Sequence, residues 1–207
     1  AGLALYDYTV VRGDGAVFAP LSVTVPAGGV LGVLGENGTG KSTLLRGIAG
    51  LERKDAGRVL VGGKQVARRA RRRLISLVMQ DVNNQLFSDS VWNECMLSLG
   101  GREEGEAKER AEATLASLDL LGARGVHPMA LSGGQKQRLA VACALLSERR
   151  LILLDEPTSG LDLDRMKLVA KLVRDLSAKG ATVVLVTHDR EFLNRCCDSA
   201  LELTRAG

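Results

Sequence analysis

The sequence predicts an α/β fold: a mainly parallel β-sheet with helices on both faces, an antiparallel β-subdomain and an inserted helical lobe. Three observations carry that expectation. Continuous apolar runs of strand length (Val30–Leu34, Leu151–Leu154, Ala181–Val186) alternate with helix-length stretches, as in sheets buried on both faces. Residues 3–11 and 21–25 instead partly alternate apolar and polar side chains, as antiparallel strands with one wet face do. From Asp81 to about Leu146 strand-type sequence gives way to polar loop and amphipathic helix. The expected organisation is one domain over residues 1–207, with a core of 1–80 and 147–207 and a helical lobe over about 81–146.

Taken in order, Gly13-Asp14-Gly15 separates the first two strands as a turn, and Pro26-Ala27-Gly28-Gly29 leads into the strand Val30–Leu34. A glycine-rich segment follows, then a helix-like run from Leu44 stopped by Gly50. Arg58–Val61 and Lys64–Val66 flank Gly62-Gly63, a two-residue hairpin signal. Leu74–Met79 reads as a strand ending at Gln80. Asp81–Phe87 is polar and loop-like, and Ser88-Asp89-Ser90 offers helix caps before Val91–Leu97. Residues 103–121 predict an amphipathic helix with Ala111, Leu115 and Leu118 on one stripe and Gly122 beyond its end. Asp164–Ala178 predicts another, with Val169, Leu172, Val173 and Leu176 inward and Gly180 as its stop. No internal repeat or low-complexity linker interrupts this order.

A chain of 207 residues can bury a full core, and 45% apolar with 25% charged residues is ordinary for a globular protein. No apolar run approaches the ~18 residues of a membrane span, and no secretory signal is present. The sequence begins at Ala1 rather than methionine, so the start is expected to be processed or the domain cut from a longer chain. Net charge is +4, with arginines at 68, 69, 71, 72 and 73 clustered together. That cluster reads as a solvated helix face rather than a site for nucleic acid or acidic headgroups. Cys95, Cys143, Cys196 and Cys197 show no metal-ligand spacing and read as reduced thiols in a cytosolic protein.

The glycine-rich segment Gly35-Glu36-Asn37-Gly38-Thr39-Gly40-Lys41-Ser42-Thr43 matches G-x(4)-G-K-[ST] between a strand and a helix, the context that makes it a phosphate-binding loop. Its glycines let backbone N–H groups turn inward around phosphate oxygens, and the helix dipole adds to the attraction. Lys41 would reach the β- and γ-phosphates of a nucleoside triphosphate, and Ser42 would hold Mg²⁺. Asp155-Glu156 ends an apolar strand: Asp155 is expected on the metal, Glu156 on an attacking water. Leu131–Arg138 opens another helix, with Ser132 and Gln135 spaced as a capping box. Gly133 and Gly134 in its first turn cost helix stability, so their expected purpose is access of backbone N–H groups to an anion. One such loop suffices for one nucleotide. The second helix start is therefore expected to serve a nucleotide held by another protomer.

These segments, with Gln80, Ser159-Gly160-Leu161-Asp162 and His188, resemble in order the motif set of ABC-type ATPases. The resemblance covers essentially the whole chain. It implies a P-loop NTPase fold, ATP and Mg²⁺ as ligands, and a head-to-tail dimer with ATP between one phosphate loop and the partner's Ser132–Gly134. It implies that Glu156 is the general base, that Gln80 contacts Mg²⁺ and the water, that His188 contacts the γ-phosphate, and that Asp162 bridges the dimer. Gln80–Phe87 further resembles energy-coupling-factor importers of vitamins and metal ions such as cobalt, in particular the second cassette of tandem chains. The partners so implied are a second cassette, a transmembrane coupling subunit and a substrate-binding membrane subunit, at the cytoplasmic face of the cell membrane, and no nucleic acid. One departure stands out: the adenine-stacking aromatic of the family falls at Val11 and Arg12 here. Arg12 offers a planar guanidinium in its stead.

Overall fold

Two sheets organise the computed structural model, which describes residues 2–100 and 105–206. Its strands are β1 (Leu3–Arg12), β2 (Gly15–Ala16), β3 (Leu21–Val25), β4 (Val30–Leu34), β5 (Asp55–Val61), β6 (Lys64–Gln65), β7 (Ile75–Val78), β8 (Leu151–Asp155), β9 (Thr182–Val186) and β10 (Ser199–Glu202). Its α-helices are α1 (Lys41–Ile48), α2 (Arg68–Leu74), α3 (Val91–Ser98), α4 (Gly105–Ser117), α5 (Gly133–Leu146), α6 (Leu163–Ala178) and α7 (Arg190–Cys196). The parallel sheet runs β10-β4-β9-β8-β7; in the antiparallel one β1 pairs with β2, β3 and β5, and β5 with β6.

The unbroken apolar strands are explained by two cores. Leu151, Leu153, Val184 and Val186 face the antiparallel sheet and α1, packing with Leu5, Tyr8, Leu44 and Ile48. Their neighbours Ile152, Leu154, Val183 and Leu185 face the other way, onto Ala140, Met166, Val169 and Phe192. A strand buried on both faces has no position left for a polar residue. The expected α/β architecture, with its parallel sheet, antiparallel sheet and helices, is what the structure shows.

The segment after β7 has a third core, in which Leu86, Val91, Cys95, Ala111, Leu115 and Leu118 meet Leu139, Ala142 and Leu146 of α5. α5 is shared: Ala140 and Ala144 pack on the sheet side. No helix among the described residues is long and apolar enough to cross a membrane.

Three local expectations need correction. The helix read over 103–121 runs over Gly105–Ser117; its expected first residues, 103 and 104, lie outside the described residues. It stops early because Asp119 adopts a left-handed φ of 55°, and Gly122 sits instead in a 3₁₀ turn, Leu121–Ala123. The arginine cluster is not one solvated face. Arg71 is buried and donates to Gly47 O (3.0 Å), Asp55 Oδ2 (2.7 Å) and Val66 O (3.2 Å), with its guanidinium over the Tyr8 ring. Arg68 and Arg72 donate to the carbonyls of Glu52 and Gly50, so three of the five staple α2 to the chain leaving α1. Finally, α7 and β10 lie outside the elements that the sequence predicts; Ser199-Ala200-Leu201-Glu202 is short and largely exposed, without a strand's periodicity.

Candidate functional site

The carboxyl ends of β4, β7, β8 and β9 converge on a cleft of about 720 Å³. Asn37, Gly38, Gly40, Lys41, Ser42 and Thr43 form one wall, and Gln80, Asp155, Glu156 and His188 face it. Parallel sheets present such crevices beyond their strand ends, so the site's location follows from the strand order. Gly35, Glu36 and Thr39 belong to the same loop without lining the cleft.

Gly40 caps α1 with φ 98°, and a Cβ there would lie 2.8 Å from Val17 Cγ1. Only glycine turns the chain into the helix this close to the antiparallel sheet. Lys41 is buried, its Nζ donating to Gly35 O (2.7 Å) and Glu36 O (2.8 Å). The Thr39 hydroxyl donates to Glu36 O (2.9 Å). The loop is thus braced by its own side chains, and its ammonium sits inside the turn where an anion would dock.

Asp155 ends β8 as a buried carboxyl whose Oδ1 has no hydrogen-bond partner among the described residues. Burial raises its pKa, while a hydrogen bond from Ser42 and the charge of Lys41 work the other way. Glu156 follows with a left-handed φ of 49°, unusual for a side-chain-bearing residue and costing about 1–3 kcal/mol. Burial raises its pKa too, against the nearby His188 and the Thr187 hydroxyl. His188 Nε2 lies 3.2 Å from Glu156 Oε1, yet that oxygen has no aligned hydrogen bond. Two under-partnered buried carboxylate oxygens beside a phosphate-type loop suit a divalent cation and a water. Among the described residues no cluster of three His, Cys, Asp or Glu could hold a metal alone. A Mg²⁺ here would draw further ligands from substrate phosphates, as this ion commonly does.

Arg12, at the end of β1, also lines the cleft. Its guanidinium donates to Glu52 Oε1 (2.9 Å), which Arg46 of α1 also grips (2.6 Å). Tyr8, by contrast, is fully buried and Tyr6 lies over Arg58, so neither reaches the cleft. Ser159 and Val17 line it as well; Val17 carried no signal in the sequence, being one apolar residue among many.

Ser132, Gly133, Gly134, Gln135 and Asp162 do not line this cleft. The capping box forms as expected: Ser132 Oγ accepts from Gln135 N (3.3 Å), and Gln135 Oε1 accepts from Ser132 N (2.9 Å). A Cβ added to Gly133 would meet nothing within 4 Å, so packing inside the chain does not explain that glycine. Asp162 caps α6, accepting from Arg165 N (2.9 Å) and pairing with the Arg165 guanidinium.

The ABC transporter family profile matches residues 18–159. The chain is 39% identical over 201 residues to an ABC transporter ATP-binding protein of Treponema denticola, covering 97% of this chain and 40% of that one. It is 41% identical over 187 residues to the cobalt import ATP-binding protein CbiO of Rhodobacter capsulatus, covering 86% and 66%. The chain therefore spans less than two thirds of these relatives. The solved structure of cbiO1 from Clostridium perfringens, part of the transporter complex cbiONQ, superposes with a TM-score of 0.83 at 29% identity, covering 98% of this chain and 84% of the other.

Proposed function

The chain belongs to the ABC transporter family of ATP-hydrolysing subunits, and from that premise we propose that it powers a membrane importer of energy-coupling-factor type. The observation that carries this reading is the separation just described. One cleft gathers Lys41, Ser42, Gln80, Asp155, Glu156 and His188, while the second anion-seeking helix start lies outside it. Two copies, or this cassette and a sister, then pair head to tail, so that Ser132, Gly133, Gly134 and Gln135 of one close over the nucleotide of the other. Asp162 works at that junction.

Within the cleft the phosphate loop holds the β- and γ-phosphates of ATP through its N–H groups and Lys41. Ser42, Asp155 and Gln80 would hold Mg²⁺, which would supply neutralisation of the phosphate charge. Glu156 takes a proton from the water that attacks the γ-phosphorus as the bond to ADP breaks, and its raised pKa suits it to receive that proton. His188 holds the γ-phosphate, its Nε2 lying 3.2 Å from Glu156 Oε1. Arg12 offers its planar guanidinium to the base, where the family usually has an aromatic ring.

The membrane partner is expected on the lobe. Phe87 is 80% exposed and Leu97 63%, and Trp92 lines a groove of about 430 Å³ with Ser90, Lys108, Arg124 and Gly125. Trp92 also leans on the lobe's core, so it joins partner surface to core. We assign this face to a transmembrane coupling subunit that carries a substrate-binding subunit, placing the chain at the cytoplasmic face of the membrane. The likeness to a cobalt importer subunit supports a metal ion as cargo, and the Gln80–Phe87 segment supports a metal ion or a vitamin. A nucleic-acid role loses its main support, because three of the five clustered arginines are engaged in bonds within the chain.

The test is light scattering on Glu156→Gln with ATP and with GTP. ATP-dependent dimers support a composite site in a self-pairing cassette; a monomer that binds ATP indicates an obligate sister. Failure to bind ATP at all would sink the proposal.

A further inference from the structure

Among the described residues β7 is an edge strand of the parallel sheet, so its outer side presents backbone groups that none of their strands takes up. The Gln85 side chain occupies that side. Its Oε1 accepts from Met79 N at 2.7 Å, and its Nε2 donates to Leu77 O at 2.6 Å. The carbonyl of residue i and the N–H of residue i+2 are the pair that one residue of a neighbouring parallel strand would engage, so the primary amide stands in for the N–H and C=O of one residue of a missing strand. Gln80 leaves the sheet one residue later.

Gln85 is itself held. Val82 and Leu86 on either side of it are buried, and the buried Glu94 accepts from Phe87 N (2.9 Å) and Ser88 N (2.7 Å). At the crest of the turn, Lys136 of α5 donates to Asn83 Oδ1 (3.0 Å). Between the cleft and the exposed Phe87 the chain is therefore braced at three points, and the brace nearest the chemistry is the Gln85 amide.

We propose that Gln85 is a positioning residue: it fixes the backbone from which Gln80 reaches the cleft, and makes residues 79–88 move as one body. This rests on the assignment of the cleft to ATP hydrolysis with Gln80 taking part. Gln85 touches no reacting atom, and its effect runs through Met79 into Gln80. Freeing that backbone by an ångström misplaces a group whose use depends on geometry.

The test compares Gln85→Leu and Gln85→Glu with the wild type in steady-state ATP hydrolysis and Mg-ATP binding. Leucine keeps most of the volume and makes neither bond; kcat should fall on the order of tenfold, with KM for ATP changed by less than about twofold. Glutamate distinguishes positioning from packing. Its protonated acid reproduces the donor–acceptor pair of the amide, while its carboxylate sets an oxygen against Leu77 O. Half-buried beside a carbonyl, that acid titrates above the usual carboxylate range. The ratio of Gln85→Glu to wild-type kcat should therefore rise as pH falls from about 8 to about 6, while the leucine ratio stays flat.

A Gln85→Leu protein with wild-type kcat would overturn the proposal. So would a Gln85→Glu ratio independent of pH, which decides the matter even if the leucine variant does not fold. A wild-type chain that binds no Mg-ATP would instead defeat the functional reading beneath it, a distinct result.

Discussion

Asp155→Asn should make the protein more stable and less useful. In the folded chain the Asp155 carboxyl is buried with one oxygen unpartnered, and burial outweighs Ser42 and Lys41 so that its pKa is raised. An unsatisfied buried polar group costs about 1–3 kcal/mol. Because Ser42 and Lys41 offset part of this, we take the low end, about 1 kcal/mol recovered by a neutral isostere. For a chain of this length that raises Tm by about 2–4 °C. The pH dependence has a definite sign. A raised carboxyl contributes stability below its unfolded pKa, near 3.9, and loses it as pH rises through the folded value. The advantage of asparagine is therefore full at neutral pH and closes as the solution is acidified towards about pH 4. Mg-ATP should reverse the order: at a hundredfold over Kd it stabilises the wild type by about 2.7 kcal/mol. The variant, lacking its metal anchor, should gain much less. The assay is a thermal melt of both proteins, with and without Mg-ATP, across pH. An Asp155→Asn protein that melts below the wild type at neutral pH without nucleotide, or a difference flat with pH, would refute the argument.

Other consequences can be checked the same way. Arg71→Met removes the charged partner of Asp55, leaving that carboxylate the Tyr8 hydroxyl alone, and should cost about 3–5 kcal/mol in denaturant unfolding; a loss under 1 kcal/mol, on the order of a surface pair, would mean that Arg71 does not staple α2. Glu156→Gly should be more stable than Glu156→Ala by about 1 kcal/mol, because φ 49° favours glycine; at an ordinary position the order is reversed by about the same amount, and both should lose turnover. Trp92→Ala should lower transport in the assembled importer while sparing basal ATP hydrolysis; failure to fold would place Trp92 in the core alone.

Much of this fold is legible in the sequence because period and run length are local. Leu151–Leu154 and Ala181–Val186 announce doubly covered strands, and G-x(4)-G-K-S between strand and helix fixes the cleft's main wall. What the sequence hides depends on which residues meet. Arg71 and Arg73 are one residue type two positions apart, yet the first is buried against Asp55 and the second is exposed. β10 is recognisable only beside β4, whose register supplies its bonds. Gln85 looks like one more polar residue in a polar loop; its bond to Leu77 spans eight positions and exists only once β7 has an open edge.

That open edge also bears on how the protein behaves at high concentration. An uncovered strand rim is a template on which a second molecule can add its own strand and begin ordered aggregation. The Gln85 amide occupies two of the groups such an intruder would need. Replacing it should shorten shelf life as well as slow turnover, with turbidity growing in concentrated stocks. The residue that steadies the loop thereby also shields the sheet from its own copies.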